Sequence, residues 1–216
     1  DEDFHNWRQR HLVWYYLGRA EEMQGSKSRA REHYRRVLEA VPNHLPSLLR
    51  MRELDEEAED EADDLLPHMR CNVGFSGKIE LLGYEISRRA TVDVGDDSDD
   101  MTEDVYLRLY WLMLDRLHKS YRPVISAYDA HGRRLMQRRV RISDREGEEY
   151  PIEHPRHGEV VVMEIPLVVD VQNIQNMTIQ LYTPMSLDYL PRSLYTDTGR
   201  HELTLPVGEE IIRGTD

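Results

Sequence analysis

The stretch from Trp14 to Pro42 constrains the fold of this chain more than any other part of the sequence. Apolar and aromatic residues recur in it near helical spacing, and Gly25, which tolerates a positive φ, interrupts the run. A second apolar stripe follows and ends at Pro42, which does not continue a helix. The sequence therefore predicts two antiparallel helices joined by a tight turn. The second stripe consists of Ala30, Tyr34, Val37, Leu38 and Val41.

The same stretch resembles a tetratricopeptide repeat. The W-x2-L-G opening, the central A-x3-aromatic pair and the closing proline of that family fall at Trp14, Leu17, Gly18, Ala30, Tyr34 and Pro42. Glu21 departs from the pattern, because it stands where the family usually has a tyrosine. A third helix is expected from about Pro46, a residue favoured in the first turn, and it resembles the first helix of a following repeat. The resemblance covers about residues 10–54.

The resemblance carries a functional inference, because repeats of this kind bury their apolar faces only against neighbours, and about three are usually needed for stability. Residues 10–54 supply about one and a half. We therefore expect the missing neighbour to be a second domain, another protein or upstream sequence. The helices either bind a partner or dock within the chain as a cap. Repeat geometry implies a protein-binding face at Tyr15, Arg19, Glu22, Ser47 and Arg50.

Composition excludes several classes of function. The 216 residues carry a formal net charge of −13, which disfavours nucleic-acid binding through a basic surface. Cys71 is the only cysteine, so an intrachain disulfide and a thiolate-rich metal site are excluded, and we interpret Cys71 as a small buried residue. No apolar run reaches the length of a membrane span. The chain opens with Asp1 rather than methionine, which is compatible with a missing N-terminal signal or anchor.

The pattern changes near residue 70, where helix-forming charged stretches give way to alternating apolar runs separated by turn residues. Strands are predicted at 79–86, 105–114, 124–128, 135–142, 160–167, 177–182 and 203–205, with a hairpin turn at 129–132. The residues of the second strand that share one face, and so should line a core, are Val105, Leu107, Leu109, Trp111 and Met113.

We therefore predict an α+β chain of more than one domain. The predicted parts are a helical unit at residues 1–66, a linker at 67–73 and an antiparallel β-sandwich at 74–216.

The second half resembles the jelly-roll-type accessory domains appended to bacterial membrane glycosyltransferases. The landmarks are the "LGY" strand at 82–84, the "LYW" strand at 109–111, the D-x-x-G turn at 129–132 and the "P-x-x-GE" strand entry at 155–159. The similarity covers residues 74–191 and implies a non-catalytic sandwich outside the cytoplasm, in the periplasm or cell envelope. The membrane-embedded catalytic portion of those enzymes has no counterpart here.

Two clusters of charged residues invite a catalytic or metal site. The acidic run Asp96–Asp100 offers oxygen ligands but lacks the glycine and terminal glutamate of a calcium loop, so we interpret it as a solvated loop. The group Glu153, His154, His157 and Glu159 lies in a stretch that prolines hold extended, where a structural crossover is expected. We assign no metal, no cofactor and no catalytic residue.

Known nucleophile, phosphate-binding and zinc motifs are absent from the sequence, so we expect a non-enzyme. The leading hypothesis is an interaction or scaffold protein, an accessory subunit of an envelope-associated assembly within a membrane-associated complex. The alternative is a module that binds envelope polysaccharide through exposed tyrosines, for which Tyr106 and Tyr110 are the candidates because they alternate with Trp111. An enzyme whose site is assembled from dispersed acids ranks last.

Overall fold

The computed structural model describes residues 10–54, 65–92, 101–114, 122–140, 156–182, 196, 198–207 and 212–214. Three helices precede the strands, and they are α1 (Arg10–Met23), α2 (Lys27–Ala40) and α3 (Leu45–Leu54). The strands are β1 (Met69–Phe75), β2 (Ile79–Val92), β3 (Met101–Met113), β4 (Arg122–Tyr128), β5 (Arg134–Arg139), β6 (Val160–Pro166), β7 (Asn176–Tyr182), β8 (Leu203–Pro206) and β9 (Ile212–Gly214).

The helical unit is a hairpin of α1 and α2 followed by α3. Gly25 occupies the turn between α1 and α2 with φ of 78°, as the sequence predicts. Gly18 of α1 lies against the ring of Tyr34 in α2, so the two helices approach closely there. Ala30, Tyr34 and Leu54 form the small core of the unit, with Tyr15 and Met51 packed against it. The predicted helical hairpin is confirmed, while its membership of a repeat family stays a prediction.

The strands form two antiparallel sheets that enclose one core. The first sheet has the order β1-β2-β3-β6, with β9 pairing with β2 in parallel, and the second has the order β5-β4-β7-β8. Alternate residues of β3 point between the sheets, and Trp111 there is fully buried. The prediction of helices followed by an antiparallel β-sandwich is therefore confirmed.

The short first and last strands were missed by the sequence pattern. β1 lies across the segment predicted as a linker, and it pairs with β2 from Met69 to Phe75. Its alternation is broken because the register shifts between Arg70 and Val73 and Asn72 has φ of 48°. A strand with such an irregularity lacks the period-two signal that identifies strands. β9 is only three residues long.

The Asp129 turn holds the β4–β5 hairpin as predicted. Its carboxylate Oδ1 accepts the backbone N–H groups of His131 and Arg133, each at 2.8 Å. These bonds, with the guanidinium of Arg133, hold the pKa of Asp129 below its ordinary value. These local bonds therefore stabilise the turn that joins β4 and β5.

The close contact between Gly18 and Tyr34 gives a first prediction. A Cβ at residue 18 would lie 2.6 Å from the Tyr34 ring, so Gly18→Ala should destabilise the chain by about 1–3 kcal/mol. In a Tyr34→Leu background the shorter side chain leaves room, and the same change should stabilise it by up to about 1 kcal/mol through helix propensity. Chemical denaturation of the four proteins of this double-mutant cycle measures both effects. Equal effects in the two backgrounds would contradict the proposed contact.

Candidate functional site

The helical unit is attached to the sandwich by backbone pairing, at a place that we call the joint (residues 43–45 and 158–160). Leu45 N donates to the carbonyl of Gly158, and Val160 N donates to the carbonyl of Asn43, each at 3.0 Å. His44 and Glu159 thereby form an antiparallel β-bridge. The turn between α2 and α3 thus continues the sheet beyond β6, so the helices are placed by sheet hydrogen bonds as well as by packing.

The outer face of the β2-β3-β6 sheet is covered where α3 lies on it. Leu45 packs there with Leu82, Tyr110 and Val160 in a second apolar cluster. Tyr110, predicted as an exposed glycan contact, is therefore only 4% exposed. Its hydroxyl donates to Glu85 Oε1 at 2.8 Å, and burial together with this bond raises its pKa. The prediction was wrong for Tyr110, because alternation along a strand shows which face a residue takes but not whether that face is covered.

Tyr106 lies four residues before Tyr110, on the same face of β3, and is half-buried. Its role as a glycan contact stays a prediction. Trp111, expected in the core, is fully buried against Phe75, with ring centroids 5.8 Å apart.

Polar side chains reinforce the joint. Asn43 Nδ2 donates to the carbonyl of Val160 at 2.6 Å, and Glu159 Oε2 accepts the backbone N–H of Arg156 at 2.8 Å. The guanidinium of Arg156 also donates to the carbonyl of Ala40, at the end of α2. Glu159 is 5% exposed, so it orders the strand entry instead of facing solvent. This agrees with the predicted structural crossover; Glu153 and His154 lie outside the described residues.

His44 is the central side chain of the joint. It is 1% exposed, and its ring lies 5.3 Å from the Tyr15 ring and 5.8 Å from the His11 ring, centroid to centroid. Nδ1 lies 2.9 Å from the hydroxyl of Ser47, while Nε2 is buried without a hydrogen-bond partner. Burial, and then the nearby His11 and His157, lower the pKa of His44 to about 3. The imidazole is therefore neutral in the folded chain at physiological pH.

Gly158 allows this imidazole to fit. It has φ of 84°, and a Cβ there would lie 2.2 Å from His44 Nε2. A side chain at residue 158 would therefore be strained and would also displace the imidazole.

The residues predicted to bind a protein partner contact one another across the helical unit. Glu22 accepts the Tyr34 hydroxyl at 2.7 Å and the Arg19 guanidinium at 3.2 Å, and Arg50 of α3 lies 3.7 Å away. Burial and the bond to Glu22 raise the pKa of Tyr34. These contacts tie α1 to α2 and α3. Partner binding by this inner face stays a prediction.

Two members of the predicted face are less accessible. Tyr15 is half-buried between the rings of Tyr34 and His44. Ser47 is fully buried beneath His44, so in this structure it positions the imidazole and cannot contact a partner.

The opposite side of α1 exposes an apolar surface that we call the outer stripe. Its large members are all exposed: Val13 by 58%, Tyr16 by 62%, Leu17 by 45% and Met23 by 84%. Ala20, also exposed, completes it. The spacing of these five residues places them on one side of the helix over about three turns. Sequence reasoning assigned Leu17 to the repeat signature and missed the stripe.

Chemically reactive groups are few in the described part of the chain. The thiol of Cys71, predicted to be buried and found half-buried, donates to the Leu81 carbonyl at 3.4 Å, and burial raises its pKa to about 11. Within the described residues, no group of three or more His, Cys, Asp or Glu is arranged to hold a metal ion. The acidic run Asp96–Asp100 lies outside them. None of the described helices has the length and apolar character needed to cross a membrane.

The neutral His44 makes the stability of the chain depend on pH. The unfolded imidazole takes up a proton near pH 6.5, whereas the folded one does so only near pH 3. Stability is therefore full above pH 6.5 and falls as the pH decreases toward 3, with a loss of about 1.4 kcal/mol at pH 5.5. Denaturant unfolding of the wild type and of His44→Gln at pH 7.5 and 5.5 measures this loss. The difference in the free energy of unfolding between the two pH values should shrink in His44→Gln. It should persist in His131→Gln, on the exposed hairpin. An unchanged difference in His44→Gln would contradict the assignment of the pH dependence to His44.

Comparisons with known proteins find little. No protein-family model matches the chain, and no curated protein matches it. Among solved structures, the crystal structure of the C-terminal domain of Wzt is similar at a TM-score of 0.36 and 12% identity, over 71% of this chain and 88% of that one. A structural genomics target is similar at a TM-score of 0.27 and 8% identity, over 61% of this chain and 83% of its own. Neither similarity bears on function.

Proposed function

We propose that this chain is a non-catalytic interaction protein, in which the outer stripe of α1 binds an amphipathic helix of a partner protein. The exposure of the outer stripe is the observation that supports this proposal. The chain would act as a scaffold or accessory subunit, with the sandwich as the platform that holds the helices.

The argument begins with the two faces of α1. Its inner face packs on the rest of the molecule through the buried His11 and Gly18 and the half-buried Tyr15. The outer stripe lies on the opposite side and contains no charged residue. A helix that is apolar on both faces is typical of one enclosed by protein on both sides. In the described structure, only the inner face of α1 is enclosed.

The missing neighbour expected from the sequence is therefore present at one end of the helical unit only. The sandwich covers α3 through Leu45, so intramolecular docking accounts for that end. The outer stripe of α1 stays exposed, and we propose that a partner protein covers it. In this proposal, docking within the chain applies to α3, and partner binding applies to α1.

The outer stripe also limits the chemistry of its partner. The eleven residues of helix from Val13 to Met23 extend about 15 Å, which matches an apolar face of about three turns on the partner. Arg10 and Arg19 lie at its edges, so acidic residues should flank that face.

The setting of the proposed assembly rests on the sequence resemblance of residues 74–191 to envelope-associated accessory domains. We extend it to an extracytoplasmic location, in the periplasm or cell envelope, within a membrane-associated complex. The proposal includes no cofactor. A glycan site on the outer face of β3 is not part of it, because Tyr110 is buried beneath α3.

Site-specific cross-linking tests the outer stripe. A photoreactive amino acid at Tyr16, introduced in the source cells, should cross-link one defined protein, whereas the same group at Leu135, 37% exposed on the sandwich, should not. That protein is then purified and mixed with the chain. Tyr16→Ser with Leu17→Ser should weaken the complex at least tenfold while lowering the free energy of unfolding by no more than about 1 kcal/mol, because both side chains are largely exposed in the free chain.

The matched control is Arg50→Gln on the inner face, which should leave the complex intact because Arg50 lies in α3, away from the outer stripe. Loss of binding in this control alone would move the site to the inner face and contradict the proposal. Light scattering of the purified chain completes the test. If the chain forms a dimer, and Tyr16→Ser with Leu17→Ser dissociates it, then the outer stripe binds a second copy, and the proposal of a different partner protein is overturned.

A further inference from the structure

A pocket of about 330 Å³ opens beside the joint, where three separate segments meet. α1 contributes its first turns, α2 its last turns, and the loop before β6 closes the third side. A pocket of this volume is at the small end of those that bind ligands. The side chains that matter for its chemistry are Arg10, His11, Trp14, Arg36, Glu39 and Arg156, and we call it the arginine pocket.

The arginine pocket concentrates positive charge on an acidic chain. Three guanidinium groups line it against the single carboxylate of Glu39, although the whole chain carries a net charge of −13. Two of them are held by hydrogen bonds within the chain. Arg36 donates to Glu32 at 2.6 Å, one turn earlier in α2, and Arg156 donates to the Ala40 carbonyl. Guanidinium groups held in this way bind carboxylate and phosphate groups with two parallel hydrogen bonds.

The other walls favour a ring as well as an anion. Trp14 is half-buried, so part of its indole forms a wall of the pocket, and His11 beside it is 4% exposed. An indole face contacts the C–H face of a pyranose ring, while its N–H remains available to a polar group. Glu39 adds an acceptor for a hydroxyl donor. Charge, flat apolar surface and a hydroxyl acceptor therefore meet in one pocket of small size.

We propose that the arginine pocket binds a small acidic sugar, a pyranose that carries a carboxylate or a phosphate. The guanidinium groups of Arg10, Arg36 and Arg156 hold the acidic group, Trp14 packs against the ring, and Glu39 accepts a hydroxyl. This site is separate from the outer stripe and from Tyr106. It does not depend on the proposed protein partner.

Calorimetric titration of the full chain tests the site at low ionic strength, where such contacts are least screened. The probes are glucuronic acid, glucose 1-phosphate and neutral glucose. We expect at least one acid to bind at least ten times more tightly than glucose, and the preferred acid then identifies a carboxylate or a phosphate as the recognised group. Arg36→Gln should weaken that binding at least tenfold. Arg29→Gln, on the same helix and outside the pocket, should leave it unchanged.

Several results would overturn the proposal. These are no binding of either acid, equal binding of glucose, or binding that survives Arg36→Gln and Trp14→Leu. Inorganic phosphate that binds as tightly as glucose 1-phosphate would also overturn it, because the ring would then contribute nothing. If Arg36→Gln lowers the midpoint of thermal unfolding, Arg10→Gln is used as the test variant instead, since the Arg10 side chain is exposed. Binding of the acid should persist in Tyr16→Ser with Leu17→Ser, so the two proposals fail separately.

Discussion

The β-bridge between His44 and Glu159 is the contact on which the rest of the structure depends. Two backbone hydrogen bonds join the turn after α2 to the start of β6, so the helices cannot rotate on the sheet without breaking the pairing. The same pairing lays Leu45 over the outer face of β3 and buries Tyr110. One short contact thus joins the helical unit to the sandwich, although each keeps its own apolar cluster.

The joint also determines which surfaces of the helical unit remain free. Whereas α3 lies on the sheet, α1 packs against α2 on one side and is exposed on the other. It therefore bears the inner face that packs on Tyr34, the outer stripe and, through Arg10 and Trp14, one wall of the arginine pocket. Because one helix carries the last two surfaces, any displacement of α1 by a bound partner would move that wall of the pocket. If partner binding displaces α1, the affinities of the two sites are coupled.

Sequence patterns predicted the elements well where the signal is local. The alternation of Leu107, Leu109 and Trp111 identified a core strand, and Gly25 identified the helical turn, because neighbouring residues decide both. Asp129 likewise bonds to residues two and four positions later. In β1 the local signal itself is damaged, since Asn72 interrupts the alternation.

The candidate sites were predicted less well because they are assembled over long distances along the chain. Arg36 and Arg156 line one pocket although 120 residues separate them, and no spacing rule relates such positions. Tyr110 was assigned to the correct face of its strand, but the cover over that face comes from Leu45. The outer stripe is a different case. Its spacing is visible in the sequence, and the repeat signature drew attention to Leu17 and Gly18 instead of to Val13, Tyr16 and Ala20.

The charge of the chain further limits what the arginine pocket can recognise. Electrostatic attraction in salt extends only about 8–10 Å, so three guanidinium groups act on an anion that is already at the pocket. Beyond that distance, an excess of 13 negative charges repels other anions. A nucleic acid or a densely charged polymer would carry many charges outside the pocket and be repelled there. A single acidic sugar, or the acidic end of an otherwise neutral saccharide, would place its one charge against Arg36 and Arg156. Only its neutral groups would then lie against the acidic surface.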